Sequence, residues 1–138
     1  MEYAGDVDVG ETWRRLSEDP NAVLIDVRTG AELNFVGLPD LSSLNKQVQC
    51  SEWKSLPGMV LNPDFQAGVE QAGIARDAAI FLICRSGQRS RDAAILLTAA
   101  GYQNCYNVAG GFEGDKDTAG HRSTVGGWKF AGLPWSQG

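Results

Sequence analysis

Cys84 ends an apolar run, Ala79-Ile80-Phe81-Leu82-Ile83, and is followed at once by Arg85-Ser86-Gly87-Gln88-Arg89-Ser90-Arg91. A cysteine at the end of a strand, a short loop with a central glycine and then a helix allow consecutive loop amides to turn inward and form an anion-binding concavity. Gly87 permits the backbone angles that such a loop requires. A thiol at a helix start beside arginines is expected to be ionised at neutral pH, so Cys84 reads as a nucleophile that carries a covalent intermediate. His121 is the single histidine, so a Cys-His pair or a Ser-His-Asp triad would depend on that one residue; the reactivity of Cys84 must come mainly from its surroundings.

The charge pattern agrees with an anionic substrate. The net charge is -5, which disfavours nucleic acid and anionic membranes as partners. Residues 1–83 carry 6 basic against 13 acidic side chains and residues 84–138 carry 6 against 4, so the basic surplus gathers around Cys84. The other thiols, Cys50 and Cys105, form no CxxC pair with it, which fits reduced cysteines rather than a disulfide framework or a zinc site. Both read as small buried hydrophobes on weak strands, with a resolving thiol as the alternative. An acidic start and the lack of a long apolar stretch lead us to expect a cytoplasmic chain with no membrane span.

Positioning Cys84 calls for a scaffold that alternates strands and helices. At 138 residues, with 43% hydrophobic and 21% charged side chains, the chain has room for one domain, with residues 110–138 as a loop-rich tail. Val23–Val27 and Ala79–Cys84 read as strands buried on both faces, and Asp6–Val9, Gln47–Cys50 and Asn104–Val108 as weaker strands. Helices are expected at Trp13 to Leu16, stopped by Pro20; briefly at Ala31 to Phe35; at Pro63 to Ala72, capped by Asn62; and at Ser90 to Ala100, closed by Gly101. This pattern gives an α/β fold with a mainly parallel five-stranded sheet. In such a sheet ligands bind outside the carboxyl ends of the strands, and Asp26-Val27-Arg28 and Cys84 both lie at such ends, so they are expected to share one edge. Asp26 is placed to pair with Arg89 or with loop amides, unless it is only structural. Trp128 and Trp135 are expected to pin the tail onto the core.

Three motifs in order make the chain resemble the rhodanese family of single-domain sulfurtransferases: the Cys84 loop, Asp26-Val27-Arg28 with Glu32 downstream, and Trp128 followed by Ala131-Gly132-Leu133-Pro134. The resemblance implies a three-layer α/β/α rhodanese-like domain. It also implies that Cys84 forms a persulfide, that residues 85 to 89 cradle it and that Arg89 closes the cradle. Asp26, Arg28 and Glu32 would be supporting residues, Glu32 structural rather than catalytic. The chain departs from the family at Val36–Leu41, where a Gly-His-Ile-Pro-Gly-Ala stretch is usual, and in added sequence at 113–127, which holds His121.

The implied reaction moves sulfane sulfur from thiosulfate or a persulfide donor to a thiol, to cyanide or to a protein sulfur carrier. Arg85 would bind the anion, Ser86 and Ser90 would donate hydroxyl hydrogen bonds, and Gln88 would complete the cradle. No metal or organic cofactor is implied. Two alternatives remain open. One is a regulatory or sulfur-carrier module that binds without turning over; the other is a phosphatase or arsenate reductase, in which five residues rather than the four of Arg85-Ser86-Gly87-Gln88 separate cysteine and arginine. His121 could fold over Cys84, whereas Asp115 and Asp117 read as solvated loop charges.

Overall fold

The computed structural model describes residues 2–55 and 58–137, so Leu56 and Pro57 of the expected connection between 29 and 62 lie outside the described residues. In chain order the elements are β1 (Gly5–Val7), α1 (Val9–Glu18), β2 (Val23–Asp26), α2 (Gly30–Val36), β3 (Leu38–Pro39), a 3-10 turn (Ser42–Leu44), β4 (Gln49–Cys50), β5 (Lys54–Ser55) and β6 (Val60–Leu61). They continue with α3 (Phe65–Gln71), β7 (Ala79–Ile83), α4 (Gln88–Ala99), β8 (Asn104–Val108) and β9 (Trp135–Ser136).

The central sheet runs β1-β8-β7-β2-β4, and every pairing in it is parallel. A parallel sheet must be covered on both faces, which is why β7 is an unbroken apolar run with all five residues buried. Ile25, Ile80, Leu82 and Cys105 turn to one face and meet Phe65 and Val69 of α3 and Ala93, Ala94 and Leu97 of α4. Leu24, Phe81, Ile83 and Val108 turn to the other and meet Val9 and Leu16 of α1, together with Phe112 and Trp128 of the tail. The result is the expected three-layer α/β/α arrangement.

Local chemistry sets the helix ends. Asp8, overlooked in the sequence, caps α1 by accepting the Glu11 amide at 2.7 Å. Asn62 is not the cap of α3. Its side chain accepts the Asp64 amide at 3.0 Å and donates to the Glu52 carbonyl at 2.9 Å, so it builds the preceding turn and the helix starts at Phe65, two residues past Pro63. The tail docks through Trp128, fully buried, whose indole N–H donates to the Pro134 carbonyl at 2.7 Å and whose ring meets Trp13 edge-on at 5.9 Å. Trp135 stays partly exposed in β9, which pairs antiparallel with β3.

In the register, Asp26 of β2 lies beside Ile83 of β7. Arg28 and Cys84 therefore leave the sheet at the same carboxyl edge, and the site is assembled there.

Candidate functional site

Gly87 takes φ of 115°, a left-handed value that turns the chain from β7 into α4 within a few residues. The turn brings the Gly87 amide to 3.2 Å, the Ser90 amide to 3.4 Å and the Ser90 hydroxyl to 3.2 Å from Cys84 Sγ. The cradle around the sulfur is thus made by residues 87 and 90, not by all five amides from 85 to 89. Cys84 is only 1% exposed, so the sulfur lies beneath its loop rather than on the surface.

The loop's amides can face inward because its carbonyls are occupied elsewhere. Cys84 O accepts from the Phe112 amide at 2.8 Å, and Arg85 O accepts from the Glu113 and Gly114 amides at 3.0 and 3.1 Å. This approach requires Gly111, where φ is 63° and an added Cβ would sit 2.5 Å from Cys84 O and 2.6 Å from Arg85 O. The start of the tail is therefore the rear wall of the Cys84 loop, a role that sequence reading missed.

Ser90 has one hydroxyl proton and two acceptors. Its Oγ lies 2.6 Å from Asn107 Oδ1, closer than to the sulfur, and the Asn107 amide donates in turn to Asp6 at 3.0 Å. A Cys84 thiol can donate to Ser90 Oγ while Ser90 donates to Asn107, but a thiolate calls the Ser90 proton to the sulfur. Asn107, nearly buried in β8, thereby orients the hydroxyl; its one trace in the sequence is a polar residue in an otherwise apolar strand position.

The arginines pair differently from expectation. Asp26 binds Arg28, not Arg89 or the loop amides: Arg28 Nε and Nη2 donate to the carboxylate at 2.9 and 2.7 Å, and both side chains are fully buried. Arg28 Nη2 also donates to Gly37 O at 2.8 Å, and the guanidinium lies 4.2 Å from the centre of the Phe112 ring. Arg89 instead makes a two-pronged pair with Glu32 at 2.7 and 2.9 Å. Glu32 is held in turn by Thr29, which caps α2 in a reciprocal capping box, a Thr-x-x-Glu signal that was present in the sequence and unread.

Burial alone would raise the Glu32 carboxyl, but the Arg89 guanidinium and the Thr29 donors outweigh it and bring it from 4.5 down to about 2. A carboxyl lowered by folding contributes stability that is complete above pH 4.5 and drains away as the pH falls toward 2. Solvent reaches the edge of this pair, which leaves on the order of 2 kcal/mol. Urea unfolding of the parent and of Glu32→Gln should therefore differ by about that much at pH 7, with the gap shrinking below pH 4.5 and closing only as the pH approaches 2; a gap that ignores pH would contradict this origin of the pair's stability.

Beside the loop lies a pocket of about 650 Å³ lined by Thr29, Ala31, Glu32, Val36, Met59, Arg85, Arg89, Glu113 and Arg122. Arg85 is exposed and Ser86 half-buried, while Gln88 points to solvent. His121 is exposed and absent from this lining; its neighbour Arg122 reaches the pocket instead. Asp115 is exposed, and Asp117 organises the 113–127 segment by accepting the Thr124 hydroxyl at 2.6 Å and the Ala119 and His121 amides, each at 2.9 Å. Of the two remaining free thiols, Cys105 is buried as expected, whereas Cys50 is exposed because the two-residue β4 forms a sheet edge. Although Cys50 keeps an exposed face, partial desolvation of its thiol and then the Asp26 charge push it up, which disfavours a resolving thiolate at neutral pH. Among the described residues, no group of three or more His, Cys, Asp or Glu side chains converges as a metal site would require. A second hollow, of about 530 Å³, opens near the starts of β2 and β7 and contains Asp19 and Asp77 but no basic side chain or thiol.

Residues 5–138 match the family model described as the STR4 middle domain. The uncharacterized protein RC0915 of Rickettsia conorii is 42% identical over 123 residues, 87% of this chain and 87% of its own. The crystal structure of Rv0390 from M. tuberculosis is 46% identical, with a TM-score of 0.91 and 99% of both chains covered. A protein of Allochromatium vinosum named sulfurtransferase is 26% identical over 106 residues, 77% of this chain and 82% of its own.

Proposed function

Since the chain belongs to the STR4 middle domain family and has a rhodanese-like fold, we propose that it is a sulfurtransferase working through a persulfide on Cys84. The observation that carries this reading is the convergence of the Gly87 amide, the Ser90 amide and the Ser90 hydroxyl on Cys84 Sγ at the start of α4. The two amides stabilise negative charge on sulfur without reorganising as the reaction proceeds, and the Ser90 hydroxyl adds to them by turning its proton from Asn107 to the sulfur.

The Cys84 thiolate attacks the outer sulfur of thiosulfate; the S–S bond of the donor breaks, and sulfite leaves with the electron pair. The enzyme then holds an anionic Cys84 persulfide. A thiol or cyanide attacks its outer sulfur in the second half, takes it as a persulfide or as thiocyanate, and returns the thiolate. Arg85, exposed at the mouth of the loop, attracts the incoming and departing anion. Arg89 is neutralised by Glu32, so its work is to hold the loop against α2. With four residues between Cys84 and Arg89 the ring suits one sulfur atom better than a tetrahedral oxyanion, which favours this reading over phosphate or arsenate chemistry. A regulatory carrier module would share the loading step but not the turnover. Its three free cysteines favour a reducing compartment, and the cytoplasm is the location proposed. Among the described residues no helix is long and apolar enough to cross a membrane.

Steady-state transfer from thiosulfate to cyanide tests the proposal. Split chemistry requires ping-pong kinetics, seen as parallel double-reciprocal lines. Intersecting lines, or no thiocyanate at any enzyme concentration, would exclude this cycle.

A further inference from the structure

The pocket beside the loop is far larger than thiosulfate, an anion of five atoms, requires. Its volume of about 650 Å³ falls within the range of sites that hold organic ligands. Its charges are also unspent. Arg89 is matched by Glu32, but neither Arg85 nor Arg122 forms an ion pair among the described residues. Among the described residues Arg122 is anchored by one contact, from Nη1 to the Gly114 carbonyl at 2.7 Å, which positions the guanidinium without neutralising it. Glu113 lines the same space and likewise has no ionic partner among the described residues. Ala31, Val36 and Met59 supply an apolar wall between these groups.

Two uncompensated cations, one uncompensated carboxylate and an apolar wall are complementary to a molecule carrying carboxylate and ammonium groups on a short carbon skeleton. Resting on the sulfur-transfer reading above, we infer that Glu113 and Arg122 of the 113–127 segment, with Arg85, form a subsite for the organic half of a zwitterionic persulfide, one built on an amino acid or short peptide. Arg85 and Arg122 bind its carboxylate, Glu113 binds its ammonium group, and its carbon chain rests on Met59 and Val36. Cys84 is buried and does not itself line the pocket, so the terminal sulfur must pass the Arg85–Arg89 loop to meet it. The thiolate attacks that sulfur, the S–S bond of the donor breaks, and the organic thiolate departs with the electron pair. The proton of the donor's terminal S–H passes with the transferred sulfur, so the step consumes no oxidant or reductant.

The test compares loading of Cys84 by thiosulfate, cysteine persulfide, glutathione persulfide and N-acetylcysteine persulfide, which lacks the ammonium group, in the parent, Arg122→Gln and Glu113→Gln. In the parent, kcat/KM is expected to be higher for cysteine or glutathione persulfide than for thiosulfate, and the two arms show which skeleton fits. Arg122→Gln should lower the ratio of organic-donor to thiosulfate kcat/KM about tenfold, the usual scale for losing one charge-assisted hydrogen bond at a partly open site. Glu113→Gln should erase the preference for cysteine persulfide over its N-acetyl analogue. A merely structural role for Arg122 would slow all donors equally, and that result would overturn the subsite, as would loading by thiosulfate alone. If no donor loads Cys84, the sulfur-transfer reading fails and the subsite fails with it.

Discussion

Cys84→Ala is expected to lose sulfur loading completely and to lower kcat/KM for transfer by about a thousandfold or more, because no other group in the site can form the covalent intermediate. Cys105 is buried against α4, and Cys50 lies at the sheet edge with its thiol pushed up, so neither can substitute. The replacement removes one sulfur atom from a buried position and should cost on the order of 1 kcal/mol of stability, leaving a folded protein to assay. Cys84→Ser tests the chemistry more narrowly, since its hydroxyl can keep hydrogen bonds to Gly87 and Ser90 but cannot store sulfane sulfur. Either variant turning over at the parent rate would remove Cys84 from the mechanism.

The largest effect on stability is expected at Arg28. Truncation to alanine strands the Asp26 carboxylate in a site where both side chains are fully buried. An uncompensated buried charge costs about 3–5 kcal/mol, much more than the pair itself contributes against an apolar replacement. The loss also removes the bond to Gly37 O and the guanidinium resting on Phe112, whose amide fixes the Cys84 carbonyl. Among the described residues Arg28 Nη1 has no hydrogen-bond partner, and the ring face beneath the guanidinium compensates part of that deficit. Urea denaturation of Arg28→Ala should show a loss of that size, and combining Arg28→Met with Asp26→Asn should recover much of it. A single-variant loss below about 1 kcal/mol would mean that Asp26 finds solvent or another donor.

These two sites differ in how readily the sequence revealed them. The Cys84 loop was legible because its parts are adjacent in the chain: a buried parallel strand, one glycine and a helix start are local signals, and β7 and α4 formed where those signals placed them. The partner of Asp26 was not, because the choice between Arg28 and Arg89 is made in three dimensions. Arg28 folds back from two residues along the same strand end, while Arg89 is claimed by Glu32 once the Thr29 box turns that carboxylate toward α4. Asn62 misled for a similar reason, since its side chain satisfies the turn before α3 and leaves the helix to begin later. Cys50 looked apolar by type, but its strand is an edge of two residues and cannot bury it. The pocket residues Met59, Glu113 and Arg122 sit in glycine-rich, weakly patterned segments, where periodicity says nothing about which side chains meet.

In the proposed cycle Cys84 accepts and surrenders one sulfur atom. Intact-protein and peptide mass spectrometry after incubation with thiosulfate or an organic persulfide measures this directly. The predicted result is a gain of one sulfur per chain, located on the Cys84 peptide, absent from Cys84→Ala and reversed on adding cyanide. Sulfur found only on Cys50 or Cys105, or a Cys84 adduct that cyanide leaves in place, would contradict it.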